Sequence, residues 1–589
     1  MPLQQLISGP NPARDDVQQT DFSYDVLGRY MCNNWQEVMA AQGAGGYPFD
    51  VIIIGAGMFG GYCAEKLYRS GASSALRILL LDAGAFLLPS HIQNLPQQLG
   101  GNVGGAKYLR SRDDASGTQN VVWGMPWISN ETFPGLAYCV GGRSLFWGGW
   151  SPALTSNDLA NWPPDVATYL TSPDGYQKTA DEIGTGTTTD FITQTPLFTA
   201  LKNSMSAAIP LDGITEVKEA PLAVQGAAPR SGLFAFDKFS SAPFMMDALR
   251  NDVSSNTRYG DQSRRLFLVP RAHVLRLNVT GNTVTSIDLT VNGVGQPPLT
   301  VSPGSAVILA NGTIESTRLA LDSLGVGSLQ FGSPRVGNLM AHLRSNITVR
   351  IKRSVFGLGA PTDLETVALI VRGSALGRRF HHQVTAASVI GSNPETNMWG
   401  LVPDIDVIGR LLVNQDPNWV VITFRGIGEM EDQRVVGNVN PAMSWIDLSS
   451  ETDQWGMRRA YVNLVATAND RKLWAAMDQS AFDLALKIAQ SPSNIEYWNG
   501  SQFQPNQPTP DASGRGFWQD GLGTTHHEAG TLFMGAPGAS ITDTDGKFHG
   551  KANVYVAGPS LFPTLGSANP SLTALSLARR TANAVTAAM

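Results

Sequence analysis

Residues 49–54 (FDVIII) are a short apolar run rich in β-branched side chains, and Gly55, Gly57 and Gly60 follow without a gap in a G-x-G-x-x-G pattern. Such a run reads as a strand buried on both faces, as in the middle of a parallel sheet. Helix-forming residues (GYCAEKLYRSG) come next, then RILLL at 77–81, a second buried strand ending at Asp82. Strand, turn, helix and strand fill about thirty residues, the length of one βαβ crossover. In this unit Gly55 permits the tight turn, Gly57 lets the backbone approach a pyrophosphate, and Gly60 allows close helix–strand contact. The helix start at Met58 and Phe59 presents free N–H groups and a positive dipole end to phosphate. Asp82, 22 residues after Gly60, is placed to accept hydrogen bonds from a ribose diol. The pattern predicts a dinucleotide site and leaves open which dinucleotide.

A chain of 589 residues exceeds what one core usually serves, so more than one folding unit is expected. Buried-strand patterns recur at 306–310 (AVILA) and 554–557 (VYVA), each followed by helical sequence, the last helix from Leu572. The predicted architecture is therefore discontinuous. An arm occupies 1–45. A Rossmann-like α/β dinucleotide domain draws on 46–190, 262–345 and 515–589. A sheet-containing substrate domain (191–261 and 346–514) is inserted into it, which makes the chain α+β overall. Within the insert, ITVRI (347–351) and WVVITF (419–424) read as strands and 471–490 as a helix.

A net charge of −6 argues against nucleic acid as a partner, because phosphate binding needs a basic surface. The Arg pairs at 264–265, 378–379 and 579–580 read as solvated surface charge. No apolar run reaches 18 residues, so no membrane span is expected. The N-terminal MPLQQLISGPNPARDD lacks the basic-then-apolar pattern of a secretory signal. Cys32, Cys63 and Cys139 are too scattered for a disulfide framework or a zinc site. Cys63 on a helix and Cys139 in an apolar strand read as small buried hydrophobes, and the expected compartment is the cytoplasm.

Further clusters stand at 140–152 (VGGRSLFWGGWSP), 269–277 (VPRAHVLRL), 307–321 (VILANGTIESTRLAL), 525–535 (THHEAGTLFMG) and 567–573 (SANPSLT). In these the chain resembles the glucose–methanol–choline (GMC) oxidoreductases, and most closely their pyranose oxidase-like branch. The resemblance implies FAD as the dinucleotide, a two-domain architecture like that of p-hydroxybenzoate hydroxylase, and oxidation of a CH–OH group. It puts the catalytic histidine, three residues before a Gly-Thr pair, on His527. The second active-site residue, which precedes a proline near the last helix, falls on Asn569 before Pro570. Gly141, Gly142, Ser144, Phe146, Trp147, the backbone of Val274 and Gly558 are the remaining cofactor positions it implies.

The chemistry agrees. Oxidising an alcohol removes a proton from oxygen and a hydride from carbon, and a neutral imidazole suits the proton. Flavin is the hydride sink, and the Asn569 amide can steady the oxygen as charge develops. On an extended backbone neighbouring side chains point to opposite faces, which leaves His526 to packing or hydrogen bonding. Pyranose oxidases carry a flavin-linked histidine where this chain has Phe146, so non-covalent FAD is expected. They have a threonine at the place of Gly148, which leaves dioxygen or a quinone open as acceptor. The expected substrate is a secondary hydroxyl of a pyranose or glycoside. A non-sugar alcohol, a hydroxynitrile lyase with a structural flavin and a non-catalytic flavoprotein are the alternatives. Thr531 stands where H-E-x-x-H needs its second histidine, so no metal site is expected. His381 and His382 read as packing or surface residues, and the sequence offers no argument for His91, His342 or His549.

Overall fold

The computed structural model describes residues 31–42, 48–70, 76–97, 122–185, 192–193, 195–227, 235–255, 264–330 and 332–589. The FDVIII run forms the strand Val51–Ile54, buried throughout, in the middle of a five-stranded parallel sheet. The order is Val554–Val556, Ala306–Leu309, Val51–Ile54, Ile78–Leu81, Leu266–Val269. Val51 lies opposite both Ala306 and Ile78.

Side-chain alternation divides the central strand between two cores. Val51 and Ile53 meet Leu67, Leu575 and Ala578 from the helices Met58–Ser70 and Pro570–Ala588. Ile52 and Ile54 join Leu277 and Ile287 from the antiparallel strands Ala272–Thr280 and Thr283–Val291. Helices cover one face of the sheet and a hairpin the other. This is the expected mixed α/β dinucleotide fold.

A second, antiparallel sheet has seven strands, ordered Phe503–Gln504, Ile495–Trp498, Leu343–Lys352, Trp419–Gly428, Arg378–Ser388, Glu365–Ala375 and Ile214–Glu219. Along Leu343–Lys352, Leu343, Ile347, Val349 and Ile351 share a core with Leu473, Met477 and Leu484 of the helix Ala468–Ala489. That helix starts at a capping box made by Thr467 and Asp470, which satisfies two otherwise orphaned N–H groups. Arg344 and Asn346 project from the opposite face. Register places Asn346 opposite Arg425, and Arg425 opposite Gln383, so long polar side chains form a row away from the helix.

Several expectations change. The predicted strands of the parallel sheet shorten by one or two residues, those predicted at 347–351 and 419–424 extend to Leu343–Lys352 and Trp419–Gly428, and Cys139 sits at an isolated bridge with Ala85 instead of in a strand. Part of the predicted arm is the helix Trp35–Gln42; residues 1–30 and 43–45 of it lie outside the described residues. The Arg pairs are not surface charge. Arg264 and Arg579 are buried; Arg378 pairs with Asp470 at 2.7 Å, and Arg379 with Asp158 at 2.8 Å. Arg579 and Arg580 pair with Glu182 at 2.6 Å and Asp165 at 2.7 Å. These partners are far away in sequence, which is why the pairs looked unpaired. Among the described residues, no helix is long and apolar enough to cross a membrane.

Arg318, buried on the helix Thr313–Ser323, pairs with Glu315 at 3.1 Å and Asp453 at 2.6 Å and donates to the Arg458 carbonyl at 2.7 Å. Arg318→Met would leave two buried carboxylates without their cation, at a cost of about 3–5 kcal/mol. A clearly lowered denaturant midpoint is the expected result, and an unchanged one contradicts it.

Candidate active site

One cleft of about 650 Å³ runs between the two sheets. At one end the glycine turn meets the second glycine cluster. Gly55 has φ +99°, and Gly60 lies so close to the turn that a Cβ would stand 1.9 Å from the Gly55 carbonyl oxygen. A Cβ on Gly57 would meet only Gly142, 3.9 Å away, so the backbone there is open to a ligand. The Gly141 N–H donates to the Ala56 carbonyl at 2.8 Å, and Ser144 Oγ donates to the Gly141 carbonyl at 2.5 Å. Asp82 accepts from the N–H groups of Ala56 at 2.7 Å and Gly84 at 2.8 Å. Burial pushes its carboxyl up to about 6, against the pull of those two N–H groups. The donor set fits a dinucleotide: open backbone and a helix N-terminus for phosphate, and a buried carboxylate for a diol.

Gly55, Gly57, Met58, Phe59, Asp82, Gly142, Phe146, Trp147, Val274, His527, Asn569 and Pro570 all line this cleft. Gly60, Gly141, Ser144 and Gly558 stand behind the lining and shape it. Gly558, at φ +134°, allows Phe59 to pass, since a Cβ would come within 3.3 Å of that ring. His91 Nε2 donates to the Trp147 carbonyl at 2.8 Å and so fixes the second glycine cluster. Its sequence context shows no sign of this.

At the other end His527 and Asn569 converge, with Asn569 Nδ2 3.2 Å from His527 Nε2. Gln383 Nε2 donates to Asn569 Oδ1 at 2.7 Å. On the far side, His527 Nδ1 is 2.8 Å from His342 Nδ1, and His342 Nε2 is 3.0 Å from the Gly566 carbonyl oxygen. Burial holds His527 well below the usual imidazole range, and the neighbouring His342, His526 and Arg344 push it the same way. The ring is therefore neutral near pH 7 and fit to accept a proton.

His526 also lines the cleft, contrary to the alternation argument. It sits at φ +58° after the short turn Leu522–Thr525, so the backbone is not extended and the two rings need not oppose. Arg143, bonded to Glu528 at 2.6 Å, holds this segment. His381 and His382, both buried, point to opposite faces of their strand. His382 Nε2 meets Ser480 at 3.0 Å on the helix side, and His381 lies 3.4 Å from Gln383 on the cleft side.

A charged wall completes the cleft. Arg425 bridges Asp404 at 2.8 Å and Asp406 at 2.7 Å, while Arg344 bridges Asp406 at 3.0 Å and Asp520 at 2.7 Å. No local spacing pointed to these residues or to His342 and Gln383; strand register sets Arg344, Arg425 and Gln383 on one face, Asp404 and Asp406 come from the start of the helix Ile405–Leu411, and Asp520 comes from a loop. Among the described residues no group of three or more His, Cys, Asp or Glu could hold a metal.

Residues 442–578, which include His527 and Asn569, match the family model described as GMC oxidoreductase. No curated protein sequence matches the chain. Among solved structures, a formate oxidase variant from Aspergillus oryzae RIB40, made to study FAD modification, is 14% identical over 92% of this chain and 98% of its own, with a TM-score of 0.56. A pyridoxine 4-oxidase from Mesorbium loti is 15% identical over 91% of this chain and 99% of its own, also at 0.56. At such identities these structures speak to the fold alone. The family match over this C-terminal segment supports an FAD-dependent oxidoreductase, and the solved structures share the fold.

Because the His527 pKa is depressed, acidification should leave the ring neutral through pH 6.5 and protonate it only well below. A histidine ring-proton NMR titration checks this, with the His527 signal identified by its loss in His527→Ala. A midpoint at or above 6.5 contradicts it.

Proposed function

We propose that this FAD-dependent GMC-type oxidoreductase converts a secondary hydroxyl of a pyranose sugar or glycoside to a carbonyl, with His527 as the proton acceptor. The observation that carries the reading is the pairing of His527 and Asn569, 3.2 Å apart, beside a wall of Gln383, Arg344, Arg425, Asp404, Asp406 and Asp520. A ligand bearing many hydroxyls both donates and accepts, and such a wall offers carboxylates to the first and guanidinium and amide groups to the second. An apolar alcohol would displace water from those groups and offer them no hydrogen bond in return.

FAD, when bound, supplies the two-electron acceptor for the carbon-bound hydrogen. The chain's own residues do the rest. His527 Nε2 takes the hydroxyl proton as the C–H bond breaks. The Asn569 amide donates to the same oxygen, and it is most useful as negative charge gathers there. Trp123, Phe146 and His526 line the neighbouring wall and limit water at the reacting centre.

Residues 46–190, 262–345 and 515–589 form the FAD-binding part in this reading, and 191–261 with 346–514 the substrate part. The cofactor is held without a covalent bond, since the Phe146 ring, 5.2 Å from that of Trp123, offers no nucleophile. Gly148 has a physical reason as well: a Cβ there would fall 1.9 Å from Asp404 Oδ1, so the carboxylate occupies the room a threonine would need. Dioxygen or a quinone takes the electrons, and the expected site of action is the cytoplasm.

Mixing the FAD-loaded protein with a sugar and glycoside panel without oxygen should bleach the flavin absorbance. The sugar reading fails if only non-sugar alcohols bleach it, and the redox reading fails if no alcohol does. Acid precipitation should release the flavin into the supernatant; yellow colour retained in the pellet overturns non-covalent binding.

A further inference from the structure

Two nitrogens of His527 could in principle accept a proton, and a neutral imidazole leaves only one of them bare. From the hydrogen-bond chain that runs through this ring, we infer that His342 is a positioning residue that keeps the proton of His527 on Nδ1 and so leaves Nε2 without a hydrogen, able to take one from the substrate. The inference rests on the reading of His527 as the proton acceptor.

The direction of the chain is set at its far end. The Gly566 carbonyl oxygen can only accept, so His342 Nε2, 3.0 Å away, must carry the hydrogen. Burial pushes His342 down to about 4, partly offset by that carbonyl, so the ring is neutral near pH 7 and has one N–H. Its Nδ1 is therefore a bare acceptor. His527 Nδ1 lies 2.8 Å from it, and a contact of that length between two ring nitrogens needs one proton between them. The proton can only come from His527. Its Nε2 is then left with a lone pair, facing Asn569 Nδ2 at 3.2 Å, which donates. Asn569 in turn accepts at Oδ1 from Gln383 at 2.7 Å. Every bond in the series has one donor and one acceptor.

His342 is completely buried, and its ring stands edge-on to that of His527 at 87° with centroids 4.9 Å apart. Gly566, at φ +63°, aims the carbonyl; a Cβ there would come within 2.7 Å of Leu154. Without the acceptor at His342, nothing distinguishes the two tautomers of His527 from that side, and part of the population presents N–H where the base must be.

Nitrogen-15 shifts of labelled histidine in the FAD-loaded protein read the tautomer directly, with His527 assigned by its absence in His527→Ala. The wild type should show N–H at Nδ1. His342→Phe, which keeps a ring and removes the acceptor, should move the proton partly to Nε2. It should also slow flavin reduction by about 100-fold or more with substrate affinity unchanged. His342→Asn, which places an amide oxygen near the former Nδ1, should recover much of the rate. An Nε2–H tautomer in the wild type overturns the inference without any variant at 342. So does His342→Phe with wild-type tautomer and rate. If instead His527→Ala reduces flavin at the wild-type rate, the base reading itself falls, even with the tautomer as stated.

Discussion

A two-bond backbone bridge holds the site in register. Met340 N–H donates to the Ala529 carbonyl at 3.0 Å, and Ala529 N–H returns the bond to Met340 at 2.9 Å. In an antiparallel bridge, the residue two places after one partner lies near the residue two places before the other, on the same side. That relation pairs His342 with His527. Gly530 makes it possible, since at φ +91° its missing Cβ avoids the Asn338 carbonyl oxygen, which would otherwise be 2.4 Å away. Thr313 Oγ1, at the start of its helix, donates to the Glu528 carbonyl at 2.6 Å. The segment carrying His527 is thus tied to the seven-stranded sheet and to the dinucleotide domain together.

The same bridge leads directly into the strand Leu343–Lys352. Strand periodicity sends Leu343, Ile347 and Val349 to the helix Ala468–Ala489 and leaves Arg344 and Asn346 for the cleft. Burying the apolar face is what holds the polar face in position. Arg344 and Arg425 sit among three carboxylates on the cleft side, and charged groups so placed need each other or a ligand once water is thin. The proposed polyhydroxy substrate would enter a site whose donors and acceptors are already held by mutual pairing.

Local pattern was a reliable guide where the chemistry is local. The glycine turn, its helix and Asp82 fall within about thirty residues and follow from backbone geometry. His527 and Asn569 were legible only through resemblance, because a histidine before Gly-Thr and an asparagine before proline have ordinary structural uses as well. The reading of His526 as turned away failed because the rule of alternating side chains presumes an extended backbone, and a left-handed residue breaks it. The Arg pairs were misread because ion-pair partners such as Asp158, Glu182 and Asp470 are separated from them by long stretches of chain.

The sequence by itself determined the elements: which runs are apolar enough to become buried strands, where a glycine is sterically required, and that a neutral imidazole and an amide are available. Only the tertiary structure decided how they meet. Strand register set Asn346, Arg425 and Gln383 in one row, and the Met340–Ala529 bridge set His342 against His527. These are contacts between segments distant along the chain, made or lost by a shift of one residue in register, and no local propensity encodes them.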